Sequence, residues 1–313
     1  MISIVIPCYN VERNIDATIK SVLEQTSSDW EVLAVDDGSS DGTYRKLLEY
    51  AESDARIKVI HQENQGVAVA RNTGIEHSDG EVIYFLDGDD TIESGLVEML
   101  EREFRQNTDM VIFGFCQESS DGRMRTHIPR SGDRIELLSM FLTNRSFIHI
   151  CSGAYSRRFI EEKHLRFDIA TVYSEDREFI CYSLFEARNV KVIKKAYYTY
   201  RWHSNSLMRR RIYDEKKFSS VLACERMYHA LAGSRLQKDA LIQLKTTILL
   251  HFRFHRRYNV EPNHATDLLK EKAAKYLKIS SPLRMHRDAF YAAVMSQVYV
   301  FSPVLYSYLV RII

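Results

Sequence analysis

Three carboxylates lie within four residues at Asp87-Gly88-Asp89-Asp90, directly after the apolar run at 82–86. Carboxylates this close repel one another, so they are most easily tolerated with a cation between them or in full contact with water. Mg²⁺ and Mn²⁺ prefer oxygen ligands, often one or two carboxylates together with the phosphates of a substrate. The stretch therefore predicts a metal–diphosphate site, and the alternative is a solvated acidic turn.

The elements that must position these carboxylates can be predicted from the pattern of apolar residues. Short β-rich runs alternate with segments in which apolar residues recur every three or four positions, as in amphipathic helices. This alternation indicates an α/β fold whose parallel sheet is flanked by helices. The predicted strands are 2–6, 30–35, 57–60, 82–86 and 110–115.

Polar groups follow three of these predicted strands, at 7–10, at Asp36-Asp37 and at 87–90. Ligands of α/β sheets bind outside the carboxyl ends of the strands, so the three groups should converge into one site. Neither common glycine-rich phosphate-binding loop, G-x-G-x-x-G after the first strand or G-x-x-x-x-G-K-[ST], is present in the sequence. A nucleotide would therefore be held by carboxylates and a metal.

Four motifs occur in order along the chain: Ile6-Pro-Cys-Tyr-Asn10, Asp36-Asp-Gly-Ser-Ser-Asp-Gly-Thr43, Asn64-Gln-Gly-Val-Ala-Val-Ala-Arg-Asn-Thr-Gly74 and Phe85-Leu-Asp-Gly-Asp-Asp90. Their combination closely resembles the family 2 glycosyltransferases, which are inverting enzymes of the GT-A fold. The resemblance is dense over about the first 120 residues and continues sparsely to about residue 205, at 173–176 and 200–206. It implies a GT-A (Rossmann-like) sheet that binds a nucleotide-sugar.

The resemblance implies that the matching positions bind the donor, with a UDP-sugar expected. Asp36 and Asp37 would bind the base and the ribose, since a carboxylate can accept from the uracil N3–H and from hydroxyls. Arg71 would offer its planar guanidinium beside the nucleotide. The donor-binding residues implied in this way are Pro7, Tyr9, Asn10, Asp36, Asp37, Gly66, Arg71, Asp87, Gly88, His203 and Ser206.

The resemblance also implies a divalent cation, Mn²⁺ or Mg²⁺, with Asp89 as its direct ligand. Asp87 would help to place the metal and the ribose, and Asp90 would be structural, turning the chain into the next helix. Imidazole can bind Mn²⁺, so His203 is a further candidate ligand. The alternative for His203 is a partly exposed loop histidine.

An inverting transfer needs a base on the face of the sugar opposite the leaving group. Glu175-Asp176 resembles the acidic pair that precedes a helix in the family. The resemblance implies that Asp176 is the base and that Glu175 supports it or contacts the acceptor. The alternative is an ordinary helix start, with Ser174 as the cap and the acids near the positive end of the helix dipole.

Strand patterns stop at about residue 213, and helical spacing follows at 218–231, 236–258 and 264–277. We therefore predict a catalytic domain over 1–210 and a helical region over 211–313 for acceptor, membrane-surface or oligomer contacts. Basic residues at 209–211 and within 249–258 give a local basic surface, which indicates a solvated helix face, with an anionic acceptor or a membrane surface as the alternatives. The uncharged stretch 289–310 has three interpretations: a membrane span, contact with a membrane surface or partner, and packing on the first domain.

Composition narrows the function further. The formal net charge of +1 gives no support to a nucleic-acid partner. The five scattered cysteines and the lack of a signal peptide favour free thiols and a cytoplasmic location, with peripheral contact at the cytoplasmic membrane face. We expect an inverting glycosyltransferase that acts on a glycan or lipid-linked glycan in cell-surface glycan biosynthesis, of the lipopolysaccharide, capsule or teichoic acid type. The alternatives are a catalytically inactive sugar-nucleotide-binding protein and a nucleotidyltransferase.

Overall fold

The computed structural model describes residues 1–105, 107–202, 215–257 and 264–277, without the side chains of 253 and 255–257. The strands of this part of the chain form one sheet in the order β3-β2-β1-β4-β8-β6-β9-β5, and β7 pairs with β6 outside that path. These strands are β1 (Ile2–Cys8), β2 (Trp30–Asp37), β3 (Ile57–Gln62), β4 (Val82–Phe85), β5 (Thr91–Ile92), β6 (Met110–Glu118), β7 (Met124–His127), β8 (Gly153–Ser156) and β9 (Val190–Tyr200).

Helices connect and flank the strands, and three more follow the sheet in the chain. Short 3-10 turns lie at Ile150–Ser152 and Glu215–Phe218. The helices are α1 (Ile15–Leu23), α2 (Thr43–Ser53), α3 (Val67–His77), α4 (Leu96–Phe104), α5 (Arg134–Leu142), α6 (Arg157–Glu162), α7 (Glu175–Glu186), α8 (Ser219–Ala230), α9 (Gln237–Arg257) and α10 (His264–Leu277).

The sheet is mixed, so the prediction of parallel strands holds only in part. β1 pairs in parallel with β2 and β4, and β2 pairs in parallel with β3, as strands joined by helices should. β8, however, is antiparallel to both β4 and β6, and β5 is antiparallel to β9. The direction of β8 depends on pairing with residues far away in the chain, which a local apolar pattern does not encode.

Because β8 is antiparallel to both of its neighbours, β6 and β9 run in the same direction as β1, β2, β3 and β4. β6 is therefore parallel to β4, and β9 is parallel to β6. The carboxyl ends of β1, β2, β4 and β9 consequently lie along the same edge of the sheet. β2 lies between β1 and β3, and every residue of β2 is buried. Each fully buried Val, Leu or Ile there contributes about 1.5–3 kcal/mol to folding.

The described chain divides into two compact units. The first consists of described residues from 1–137, 147–169 and 182–204 and contains the whole sheet. The second consists of 138–146, 170–181 and the described residues after 205, including α8, α9 and α10. The predicted domain boundary at 210/211 lies outside the described residues and stays a prediction. Among the described helices, none combines the length and the apolar character that crossing a membrane requires, and the stretch 289–310 is not among them.

Candidate active site

Asp37 ends β2 and is buried, and its carboxylate holds the turn that begins α3. Its Oδ1 accepts from the Gln62 side chain at 2.7 Å and from the Gln65 backbone N–H at 2.9 Å. Its Oδ2 accepts from the Gly66 N–H at 2.8 Å. Gly66 has φ +94°, a conformation that favours glycine. A carboxylate has about four acceptor positions, so Asp37 retains little capacity for its predicted contact with a nucleotide.

Asp36 is fully buried and faces the opposite side of β2 from Asp37, because successive side chains of a strand alternate. Its Oδ2 lies 2.7 Å from Nδ1 of His61 on β3, and the His61 side chain is half exposed. The His61 ring in turn lies 4.7 Å, centroid to centroid, from the ring of Tyr44. The Asp36 side chain has no exposed surface, so the side chain that is accessible at the sheet edge is its partner His61.

The loop after β1 is tied to the loop after β2. The Asn10 side-chain Oδ1 accepts from the Ser40 N–H at 2.8 Å, and the Asn10 N–H donates to Ser39 Oγ at 3.0 Å. Asn10 itself has φ +54°, which asparagine tolerates better than most residues. Beside it, Tyr9 is 51% exposed, so its ring is available for stacking on a ligand.

Arg71 of α3 and Asp87 form an ion pair at the end of β4. The Arg71 Nη2 donates to Asp87 Oδ1 at 2.9 Å, and the Arg71 side chain is only 4% exposed. Its guanidinium also lies over the Phe167 ring, 5.2 Å from the centroid. Burial raises the pKa of Asp87, but the positive charge of Arg71 and His149 outweighs it and lowers the pKa. Asp87 is therefore held ionised.

Asp90 is buried and binds the end of β9. The Tyr198 hydroxyl donates to Asp90 Oδ2, and the Arg201 N–H donates to Oδ1 at 2.7 Å. Burial and the negative charges of Asp89 and Asp87 raise the pKa of Asp90 well above its usual value. The expected structural role of Asp90 agrees with these contacts. The prediction that Asp90 turns the chain into the next helix is wrong, because β5 follows Asp90 directly. Asp90 instead connects the acidic turn to β9 through its hydrogen bonds.

The three polar groups predicted to converge do so around Cys8. A Cβ on Gly88 would lie 3.2 Å from the Pro7 carbonyl oxygen and 3.4 Å from Cys8 Sγ, so the acidic turn packs tightly on the end of β1. Burial raises the pKa of the Cys8 thiol, and the negative charges of Asp36, Asp89 and Asp87 raise it further. The predicted convergence at one sheet edge is confirmed.

His149 and Cys151 join Asp87 in a group that sequence reasoning did not identify as a metal site. One potential ligand atom of each residue lies within 4.8 Å of those of the other two. The Tyr84 hydroxyl donates to the Cys151 carbonyl oxygen at 2.8 Å and so holds this segment against β4. Burial raises the pKa of the Cys151 thiol well above its usual value, which makes it a poor ligand. Asp87 and His149 remain as an oxygen and nitrogen pair suited to Mn²⁺.

The predicted base lies in the second unit. Asp176 is partly exposed in the first turn of α7, and its Oδ1 accepts from the Arg177 N–H at 2.6 Å. Glu175 is 9% exposed and begins the same helix. Both positions follow Ser174, which has φ +74°. The other predicted residues of the site, His203 and Ser206, lie outside the described part of the chain.

Comparison with known proteins completes the description of the site. The sequence model of Glycosyl transferase family 2 matches residues 3–165, which include the sheet edge described above. The uncharacterized glycosyltransferase EpsJ of Bacillus subtilis is 38% identical over 217 residues, which cover 66% of this chain and 62% of EpsJ. The matched region thus spans less than two thirds of that relative.

Two further similarities concern smaller or more distant matches. The UDP-Glc:alpha-D-GlcNAc-diphosphoundecaprenol beta-1,3-glucosyltransferase WfgD of Escherichia coli is 43% identical over 115 residues, which cover 36% of this chain and 45% of WfgD. The crystal structure of S. aureus TarS 1-349 in complex with UDP-GlcNAc superposes with a TM-score of 0.68 at 18% identity. That superposition covers 98% of this chain and 89% of the TarS chain, and it shows a shared fold.

Proposed function

The chain belongs to glycosyltransferase family 2, and we propose that it moves a sugar from a UDP-sugar to an acceptor hydroxyl with inversion at the anomeric carbon. The observation that carries the proposal is the convergence of the loop after β1, Asp36-Asp37 and the acidic turn at one edge of the sheet. UDP as the nucleotide is supported by the UDP-Glc in the name of WfgD and by the complex of TarS with UDP-GlcNAc.

The donor would lie along this sheet edge. The exposed ring of Tyr9 is available to stack on the base, and His61 extends the reach of Asp36 toward the base or ribose. Asp37 shapes the Gly66 turn from which α3 begins, and α3 carries Arg71. We therefore propose that Asp37 acts on the nucleotide mainly by placing this turn and helix.

Asp87, Asp89 and His149 would hold a divalent cation, and the mixed oxygen and nitrogen set favours Mn²⁺ over Mg²⁺. When bound, the cation would offset the negative charge that develops on the departing diphosphate. Arg71 keeps Asp87 ionised and fixes its orientation before the cation arrives. His203 stays a predicted further ligand.

Asp176 would accept the proton of the acceptor hydroxyl. The freed oxygen then forms a bond to the anomeric carbon while the bond from that carbon to the diphosphate breaks. The nucleoside diphosphate leaves with the electron pair, and the configuration inverts because attack and departure occur on opposite faces. Glu175 would support Asp176 or contact the acceptor.

The acceptor would be a cell-surface glycan or a lipid-linked precursor of one. WfgD, by its name, acts on a GlcNAc that is linked to diphosphoundecaprenol. In our proposal residues 1–210 supply the catalytic domain, and 211–313 supply contacts with the acceptor or with the cytoplasmic face of a membrane.

The test is nucleotide release from a panel of UDP-, GDP- and dTDP-sugars, each with Mn²⁺, with Mg²⁺ and with EDTA. We expect one or a few UDP-sugars to be turned over in Mn²⁺ and none in EDTA. Asp89→Ala should lose the metal-dependent part of donor binding. Absence of turnover of every nucleotide-sugar with every divalent cation would refute the proposal, and a nucleotide exchange with pyrophosphate would favour the nucleotidyltransferase.

A further inference from the structure

Helices α8 and α9 of the second unit hold the residues on both sides of Asp176. We propose that this helical unit places the catalytic base, with Arg226 and Arg177 as positioning residues that act through the start of α7. The inference rests on the proposed role of Asp176. It gives the helices a positioning role in the reaction, in addition to the proposed contacts with an acceptor or a membrane.

Arg226 of α8 binds Glu178, two residues on the C-terminal side of Asp176. Its Nε donates to Glu178 Oε1 at 2.8 Å, and its Nη2 donates to Glu178 Oε2 at 2.7 Å. The Glu178 side chain is 4% exposed. The same Nη2 donates to the Thr171 hydroxyl. Two parallel bonds between a guanidinium and a carboxylate fix orientation as well as distance, so Arg226 sets the position of the first turn of α7.

Arg177, the residue next to the base, is also held by several contacts. Its Nη2 lies 2.8 Å from the Phe141 carbonyl oxygen, 2.8 Å from Asn144 Oδ1 and 2.9 Å from Gln243 Oε1 of α9. The guanidinium also lies over the Phe141 ring, 4.5 Å from the centroid. Because Asp176 accepts a hydrogen bond from the Arg177 N–H, anchoring Arg177 also anchors the carboxylate.

The segment before the base carries backbone strain. Ser174 has φ +74°, a left-handed conformation that is unfavourable for a residue with a Cβ. The strain is maintained from both sides. The Tyr173 N–H donates to Ser219 Oγ of α8 at 3.0 Å, and the Glu178 N–H donates to the Ser174 carbonyl oxygen at 3.0 Å. Strained residues held by their surroundings concentrate at functional sites, which agrees with a base that must be presented in one orientation.

The test compares Arg226→Met and Arg226→Lys with the wild-type full chain. The readouts are kcat and KM for release of UDP from the UDP-sugar that the wild type turns over, in Mn²⁺ and with water as acceptor. Displacing a catalytic group by about 1 Å can reduce a rate about 100-fold. We therefore expect Arg226→Met to lower kcat by roughly 10- to 100-fold with the donor KM within about twofold, and Arg226→Lys to recover part of that loss. The double variant Glu178→Gln/Arg226→Met removes both charges and should show the same loss of kcat even if the single variant folds poorly.

A second ion pair on α8 provides the control. Glu225 accepts from Lys272 of α10, with Nζ 2.8 Å from Oε2, and the two side chains are 13% and 14% exposed, against 4% and 37% for Glu178 and Arg226. Glu225→Gln/Lys272→Met should therefore destabilise the packing of α8 against α10, away from α7, while kcat stays unchanged. Equal kcat losses in the control and in the Arg226 variants, or wild-type kcat in Arg226→Met, would overturn the inference.

Asp176→Asn separates this inference from the proposed function. If Asp176→Asn turns over the donor at the wild-type rate, the base assignment fails and the inference fails with it. If Asp176→Asn is inactive while Arg226→Met and the double variant keep wild-type kcat, the proposed function stands and only the positioning role is refuted.

Discussion

Arg71 of α3 donates a hydrogen bond over 2.9 Å to Asp87 at the end of β4. The arginine is almost completely buried against Phe167, whereas the Asp87 side chain is 25% exposed. A buried cation thus orients a carboxylate whose outer surface remains accessible to a ligand. The pair links two parts of the site. Arg71 lies on α3, whose first turn is bound by Asp37, and Asp87 lies in the turn that also carries Asp89.

The first prediction concerns the stability contributed by this pair. Arg71→Met should lower the free energy of unfolding by about 2–3 kcal/mol, because it leaves the Asp87 carboxylate partly buried without its compensating charge. In a double-mutant cycle with Asp87→Asn, urea denaturation should give a coupling free energy of about 1–3 kcal/mol. Arg71→Lys is the control that keeps the charge and loses the planar fork. Additive effects of the two single changes would show that the contact is not energetically coupled.

The second prediction concerns Gly66. Its φ is +94° and a Cβ would meet nothing within 4 Å, so Gly66→Ala tests backbone strain alone. We expect a loss of about 1–2 kcal/mol of stability and donor binding weaker by about tenfold, because the strain acts on the turn held by Asp37. Gly122→Ala is a matched control, with φ +76° and equally open space, on the β6–β7 hairpin. Calorimetric titration with the donor should show weaker binding for Gly66→Ala only, and equal binding in both variants would contradict the role of this turn.

The third prediction is a pH dependence that originates in the second unit. Burial raises the pKa of Glu225, but hydrogen bonds from Lys272, Tyr276 and Lys275 prevail and lower it to about 2. A depressed pKa contributes stability above the unfolded value of about 4.3 and loses it as the pH falls toward 2. Glu225→Gln should therefore cost about 1–2 kcal/mol at pH 7 and show a shallower loss of stability between about pH 4.5 and 2. Parallel acid-unfolding curves for variant and wild type would refute this linkage.

The fourth prediction concerns Asp90, whose pKa is raised by burial and by its acidic neighbours. A carboxyl with a raised pKa binds its proton more tightly in the folded state, so the stability it contributes declines as the pH rises above about 3.9. Asp90→Asn removes this decline. Compared with the wild type, it should become relatively more stable from pH 4 to pH 7, measured by urea denaturation in EDTA. Asp90→Ala should be less stable than Asp90→Asn at each pH, since alanine cannot bind the Tyr198 hydroxyl or the Arg201 N–H.

The acidic turn could be predicted from sequence because its signal is local: an apolar strand followed at once by carboxylates. The opposite orientations of Asp36 and Asp37 could also have been predicted, since neighbouring side chains on a strand face opposite sides. The contacts of Asp87 with His149 and of Asp90 with Tyr198 join residues more than sixty positions apart. No local pattern encodes such pairs, although the close spacing of His149 and Cys151 was a usable hint.

The second unit shows the same limit. The three helices α8, α9 and α10 follow from the apolar spacing of their residues, and α10 begins and ends where the pattern predicts. That 138–146 and 170–181 belong to the same compact unit as these helices could not be inferred, because it depends on long-range contacts such as Glu178 with Arg226. The local sequence at 174–178 fits an ordinary helix start equally well.

The most direct test of the central claim is the rate of UDP release by Asp176→Asn at saturating donor and Mn²⁺, relative to the wild type. The substitution keeps the shape of the side chain and removes its ability to accept the acceptor proton. We predict a loss of at least about 100-fold in this rate. Calorimetric titration of the same sample should show unchanged affinity for UDP. A rate within a few-fold of the wild type would contradict the assignment of Asp176 as the base of an inverting glycosyltransferase.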